Sequence, residues 1–217
     1  FINEKKLEND LMKSIQISTT SFVGKKFPYK YYENLSNENK MLVDSAEDGE
    51  VEKQFELGKC LIEGKSNFHL DLILSLKYLR ESMKNGCKES VIYYIKMLIY
   101  GKIIPSNHKK ALKLIEKIFK DDETTKELLY GKLYKNEKKY DSSNIFFQQC
   151  MKTGNDESFY EYAQNLRKGY GVDKNEEESI KYYLESIKLG NLKAMYKYGK
   201  ILIKNEGKEK GIQLIKK

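Results

Sequence analysis

The sequence predicts an all-α protein: an α-solenoid of about five antiparallel helix-pair repeats, preceded by an N-terminal helical flank. Three observations carry this expectation. Only two prolines occur among 217 residues, Pro28 and Pro105, and both fall outside the periodic stretches, so most of the chain is free to be helical. Gly49, Gly86, Asp122, Gly154 and Gly190 recur at separations of 37, 36, 32 and 36 residues. On each side of these anchors an amphipathic register with helical spacing repeats.

Residues 1–30 do not fit the repeat. Phe1–Gln16 is amphipathic and Ser18–Pro28 reads as a loop, so this part is an N-terminal cap or the tail of an upstream domain. Residues 31–48 read as a half-repeat cap helix, with Met41-Leu42 and Ala46 in the places that the second helix of a repeat reserves for its core side chains. The repeats then run 49–85, 86–121, 122–153, 154–189 and 190–217, the third short and the fifth truncated.

Two interlocking patterns define each repeat. Eight residues after each anchor stand Leu57, Tyr94, Tyr130, Tyr162 and Tyr198, and nine after it Gly58, Ile95, Gly131, Ala163 and Gly199. Twelve after it are Leu61, Leu98, Tyr134, Leu166 and Leu202, which places positions +8 and +12 on one face of a helix, here helix A. Eleven residues before the next anchor stand Ser75, Ala111, Ser143 and Ser179, with Gly211 in the matching place of the last repeat. The bulky pairs Tyr78-Leu79, Leu114-Ile115, Phe146-Phe147, Tyr182-Tyr183 and Leu214-Ile215 follow at −8 and −7. A small residue for close approach and a bulky pair to fill the space define helix B. Glycine anchors end helix B in the left-handed conformation. In the fourth repeat, Gly169 and Gly171 turn the chain between the helices, Val172 plugs the turn, and Asp173 with Glu176 reads as a capping box.

The stretch Gly154–Gly190, with Ser158, Tyr162-Ala163, Leu166, Gly169-Tyr170-Gly171-Val172, Ser179, Tyr182-Tyr183 and Gly190, resembles the Sel1-like repeat family of the tetratricopeptide-like superfamily. The resemblance spans roughly residues 49–217 and implies a right-handed superhelix. There are departures. The family commonly has Asp where Asn175 stands and Ala where Ser179 and Ser186 stand. The third repeat replaces the glycine turn by Lys135-Asn136-Glu137-Lys138-Lys139, so a tighter turn is expected there.

Composition narrows the function. No apolar run approaches the length of a membrane span. Cys60, Cys87 and Cys150 are odd in number and widely separated, which fits a reducing, cytoplasmic setting better than a disulfide framework. Neither His69 nor His108 has a Cys or His neighbour at metal-ligand spacing, so no metal and no cofactor are expected. Gly169-Tyr170-Gly171 follows a helix and lacks the residues of a phosphate loop, so it reads as a turn. No catalytic constellation is recognisable, and the protein is expected not to be an enzyme. The net charge of +8 is concentrated in residues 193–217, which hold eight Lys and two Glu.

What remains is surface. Position +6 of helix A is Phe55, Ile92, Leu128, Tyr160 and Tyr196. Position +10 carries Lys59, Lys96, Lys132 and Lys200, and position +13 of the fourth repeat is Arg167. An aromatic and apolar stripe beside a cationic stripe suits a partner protein or peptide with acidic and apolar side chains, held on the concave helix A surface. The plainer readings are that +6 is the edge of the core, and that late lysines and early glutamates (Glu52, Glu89, Glu157) answer the helix dipole.

Three functions compete. The resemblance implies a scaffold or adaptor for other proteins, without small-molecule substrate. The second is a regulatory or targeting module of a larger enzyme, such as a protein kinase, whose catalytic domain lies upstream. The chain begins with Phe1 and not Met, which fits a fragment or processed form. The third, nucleic-acid or acidic-surface binding through the basic last repeat, is disfavoured by the acids interleaved elsewhere.

Overall fold

The structure, a computed structural model, describes residues 26–205 and 211–212. The expected amphipathic segment Phe1–Gln16 and most of the following loop lie outside the described residues. Eleven helices and no strand are found among the described residues. They are α1 (Tyr29–Tyr32), α2 (Asn37–Glu47), α3 (Val51–Glu63), α4 (Leu72–Lys84), α5 (Lys88–Tyr100), α6 (His108–Ile118), α7 (Glu123–Asn136), α8 (Tyr140–Met151), α9 (Asp156–Lys168), α10 (Glu176–Lys188) and α11 (Leu192–Asn205). The all-α helix-pair repeat is therefore observed. Helices α3, α5, α7, α9 and α11 are the A helices, and α4, α6, α8 and α10 the B helices.

The chain divides into two compact units, Phe1–Lys110 and Ala111–Lys217, with the boundary inside α6. In the first unit Leu42, Val43, Leu57, Leu61, Phe68 and Tyr78 form one core. In the second, Leu128, Phe147, Tyr162 and Leu166 form one cluster, and Ala163, Tyr183, Ala194 and Ile201 another. Each wholly buried leucine such as Leu57 contributes about 1.5–3 kcal/mol relative to an exposed one.

Within the first, third and fourth hairpins, two small polar side chains of helix B bond to carbonyls of helix A; in the second, Ala111 stands at the first of these places. Ser75 donates to the Gly58 carbonyl at 2.6 Å and Ser82 to that of Val51 at 2.8 Å. Ser143 donates to Gly131 at 2.9 Å and the Cys150 thiol to Thr124 at 3.3 Å. Ser179 donates to Ala163 at 2.9 Å and Ser186 to Asp156 at 2.6 Å. In each pair one residue number rises as its partner's falls, so the two helices run antiparallel. Small residues are needed on both sides. A Cβ at Gly58 would come within 2.8 Å of Leu79, and one at Gly131 would collide with the Phe147 ring.

The ends of the helices follow local chemistry. Gly86 and Gly190, just beyond helix B, adopt φ of +91°, as the anchor pattern predicts. Asp122 behaves otherwise: it caps α7, accepting from the Thr125 N–H at 3.0 Å, so α7 begins one residue early in its repeat. The expected Asp173–Glu176 capping box is not formed. The cap is Asn175, which accepts from the Glu178 N–H at 3.0 Å and donates to its carboxylate at 3.2 Å. The Asn175 N–H is itself tied to the Leu166 carbonyl at 3.0 Å, and that bond sets where α10 can start. The A–B turn of the third repeat is short, as expected, with only Glu137, Lys138 and Lys139 between α7 and α8 and Lys138 at φ +61°.

Helix α2 buries Leu42 and Ala46 but leaves Met41 70% exposed. In α4 the side chain at Met41's place is Tyr78, whose hydroxyl donates to Glu47 of α2. No helix B precedes α2 among the described residues, so Met41 has no such surface to cover.

Candidate interaction face

The A helices of both units carry the residues singled out from sequence. In the first unit, the Phe55 ring meets the Tyr93 ring edge-on at 5.9 Å, and the Lys59 ammonium lies 5.3 Å from the Phe55 centroid. Ile92 and Lys96 are half-buried on α5. Ile62 and Ile99, at position +13, are buried and belong to the core.

In the second unit the cationic stripe has two different fates. Lys132 is only 3% exposed, and its ammonium lies 2.5 Å from Glu157 of α9. Lys135 is bound to Glu161 of the same helix at 2.6 Å. Burial pushes Lys135 below the usual lysine range, and Glu161 opposes that shift. The Lys193 ammonium reaches Glu157 as well, at 3.3 Å. Glu157 thus joins three successive A helices, α7, α9 and α11. Lys132 is therefore an internal tie between repeats instead of a free cation of the groove, and Leu128, 9% exposed, belongs to a core cluster. The dipole reading of Glu157 missed this because it looked within one helix, whereas the partner stands one repeat earlier. The signal was present in the sequence: bases at +10 and +13 of the third repeat, acids at +3 and +7 of the fourth.

The remaining candidates lie toward the last repeat. Tyr160 is half-buried, its ring 6.1 Å from that of Tyr183, and Arg167 is half-buried beside it in register. Tyr196 is 50% exposed, with the Lys200 ammonium 4.4 Å from its ring centroid.

Two of the tyrosines at +8 are core residues with satisfied hydroxyls: Tyr94 accepts from Lys110 at 2.9 Å and Tyr162 from Gln148 at 2.9 Å, while Tyr130 and Tyr198 are half-buried. A second tie that sequence reading missed is a buried amide pair. Asn165 donates to Asn144 at 2.7 Å, and Asn144 donates to the Tyr170 carbonyl at 2.8 Å. The Tyr170 ring stacks on Tyr140 at 4.4 Å, so the Gly169-Tyr170-Gly171 turn is held down against α8.

Burial pushes the Cys60 thiol up, and the Cys150 thiol up to about 11, which keeps both protonated at neutral pH. His108 bonds the Ile99 carbonyl at 3.0 Å, and the His69 ring lies 5.0 Å from that of Tyr31. Among the described residues, no group of three or more His, Cys, Asp or Glu is arranged to hold a metal ion. No described helix is long and apolar enough to cross a membrane.

Comparison with known proteins fits this geometry. A Sel1 repeat protein from Oxalobacter formigenes is 19% identical, with a TM-score of 0.58 over 82% of this chain and 74% of that one. A protective antigen of uropathogenic Escherichia coli displaying the Sel1-like repeat fold is 18% identical, with a TM-score of 0.50 over 81% of this chain. The chain spans 39% of the length of that antigen. No family model matches the chain, and no curated protein matches it. The likenesses show the fold: an all-α array of helix pairs similar to the Sel1-like repeat fold.

Proposed function

We propose that this chain is a non-catalytic interaction scaffold that holds a partner polypeptide against the outward side chains of its A helices. The observation that supports this best is Tyr196 with Lys200. A large aromatic stands half out of the protein on an A helix, with a cation over its ring, and the same pairing recurs at Phe55 and Lys59 in the other unit. Aromatic side chains backed by cations provide contact area at low entropic cost and attract acidic partners. The polar groups deeper in the hairpins serve the fold. Serine hydroxyls are committed to helix A carbonyls, and the Cys60 and Cys150 thiols are protonated, so neither set offers a nucleophile.

The test is hydrogen exchange on the chain with a captured partner. Protection is expected on α9 and α11, at Tyr160, Tyr196 and their neighbours, and on α3 at Phe55. Tyr196→Ser with Lys200→Glu should weaken capture by about tenfold, the cost of one aromatic anchor, with helicity unchanged. Protection confined to the B helices α4, α8 and α10 would refute the reading.

A further inference from the structure

The ties that join the third repeat to the fourth can be compared, position by position, with those that join the fourth to the fifth. At the first junction, Lys132 (+10) meets Glu157 (+3) and Lys135 (+13) meets Glu161 (+7). At the second, the same positions hold Gln164 and Arg167 on α9, and Lys193 and Lys197 on α11. Both acids have become lysines. Lys193 turns back to Glu157 at 3.3 Å, but Arg167 and Lys197 form no ion pair among the described residues. The exposed Glu176 is held below the usual carboxylate range by its pairing with Lys174 at 2.9 Å and, less, by Arg167.

Two further features coincide with the missing acids. Helix α11 contains no acidic residue, and Lys193, Lys197, Lys200 and Lys204 recur at spacings of four, three and four, one stripe along one face. Beneath lies Tyr183, 0% exposed, whose buried hydroxyl has no hydrogen-bond partner among the described residues. In the third repeat the equivalent residue is Phe147, with the Lys135 ammonium 5.8 Å from its ring centroid. The fourth repeat therefore adds a hydroxyl donor at the junction that has lost its carboxylates. An unpaired buried hydroxyl and a half-buried guanidinium without an anion both carry a desolvation cost that an incoming carboxylate would offset.

We propose that the α9–α11 face is a carboxylate-binding site for an extended acidic segment of the partner, resting on the interaction reading above. An aspartate or glutamate side chain of that segment takes the place that Glu161 fills one repeat earlier. It accepts from Arg167 and Lys197, with the Tyr183 hydroxyl as third donor, and Tyr196 and Lys200 form the rim. The hydroxyl is closed off in the free chain, so a small displacement of Tyr160 or Arg167 accompanies binding. A peptide is favoured over a nucleic-acid backbone because Arg167, Lys197 and Tyr183 would serve a single carboxylate, and the half-exposed Tyr196 next to Lys197 suits an apolar side chain beside it.

The experiment is selection of random twelve-residue displayed peptides on the full chain, followed by affinity measurement with the best of them. The expected result is a shared Asp or Glu beside apolar residues. Lys197→Glu supplies the carboxylate from within, so it should weaken the peptide about tenfold while raising the melting temperature, a combination that misfolding cannot produce. Tyr183→Phe should weaken the peptide several-fold, roughly one hydrogen bond to a charged group, without unfolding the chain. Selected peptides with no common acid, or an affinity unmoved by Lys197→Glu, would overturn the inference and leave the scaffold reading standing. Displacement of the peptide by stoichiometric oligo-dT would overturn it in favour of nucleic acid. A selection that yields no binding peptide would sink both.

Discussion

Replacing Glu157 by glutamine tests whether the ion pairs between A helices hold the second unit together. Glu157 lies 2.5 Å from Lys132 and 3.3 Å from Lys193. The Lys132 side chain is 4% exposed and that of Glu157 16%, so this pair is shielded from solvent, whereas Lys193, at 69%, is not. At an effective dielectric constant near 20 the closer pair has a gross attraction of about 6–7 kcal/mol, much of it consumed by desolvation. Removing the negative charge leaves the Lys132 ammonium buried with no counter-charge, and such truncations cost about 3–5 kcal/mol. The exposed Lys193 contact should contribute under about 1 kcal/mol.

Thermal unfolding followed by circular dichroism at neutral pH separates these effects. Glu157→Gln should lower the midpoint by about 10 °C, since each kcal/mol shifts a domain of this size by roughly 2–4 °C. Lys193→Ala should move it by no more than about 2 °C. The double variant Glu157→Gln with Lys132→Met, which removes both buried charges, should recover most of the loss. If Glu157→Gln costs less than about 1 kcal/mol, or the double variant is no better than the single, the tie is not buried in the sense argued here.

Three other outcomes are expected. Gly131→Ala gains about 1 kcal/mol of helix propensity but drives a methyl group into the Phe147 ring, at about 1–3 kcal/mol; the melting temperature should fall, and adding Phe147→Leu should restore it. Ser186→Ala, which loses the bond to the Asp156 carbonyl, should cost about 1 kcal/mol in chemical denaturation without touching peptide affinity. Burial raises the Tyr78 and Tyr183 hydroxyls above the usual tyrosine range, so their stabilisation is intact below about pH 10 and is lost as pH rises further. Lys110 and Lys135, held low by burial, act in the opposite sense, but their gain with pH is largely complete by about pH 10.4, the free lysine value. Burial raises Tyr93, Tyr160 and Tyr162 as well, so melting temperature should fall between about pH 10 and 11.5, less steeply in Tyr183→Phe.

How much of this could be read from the sequence depends on whether a contact lies within a hairpin or between hairpins. Register and packing repeat locally, so the A and B helices, the glycine anchors and the short third turn were all legible. Leu57, Leu79 and Phe147 sit where periodicity places them. The serines at −11 were read as small residues and prove to be donors as well, because volume is visible in a residue list and the direction of a hydroxyl is not. Lys132 was misplaced for a related reason. A lysine beside an apolar stripe reads as solvent-facing until the neighbouring helix brings a carboxylate over it, and that carboxylate stands 25 positions later.

The same distinction explains why the last junction stands out only once the third and fourth repeats are laid beside each other in space. Taken alone, Lys193, Lys197, Lys200 and Lys204 are an ordinary solvated helix face. Their meaning comes from the preceding repeat, where the positions of Lys193 and Lys197 are held by Glu157 and Glu161, paired with the buried Lys132 and the half-buried Lys135. A repeat array draws its stability from the interfaces between neighbouring repeats. Where the ion-pair tie is present at one junction and its acids are reversed in sign at the next, the second junction gives up stability in the free chain. The fold alone offers no return for that loss, since Glu at position 197 would satisfy Arg167 as Glu161 satisfies Lys135. A bound acidic segment supplies the return, because it would complete at the fifth repeat the electrostatic pairing that the fourth achieves internally.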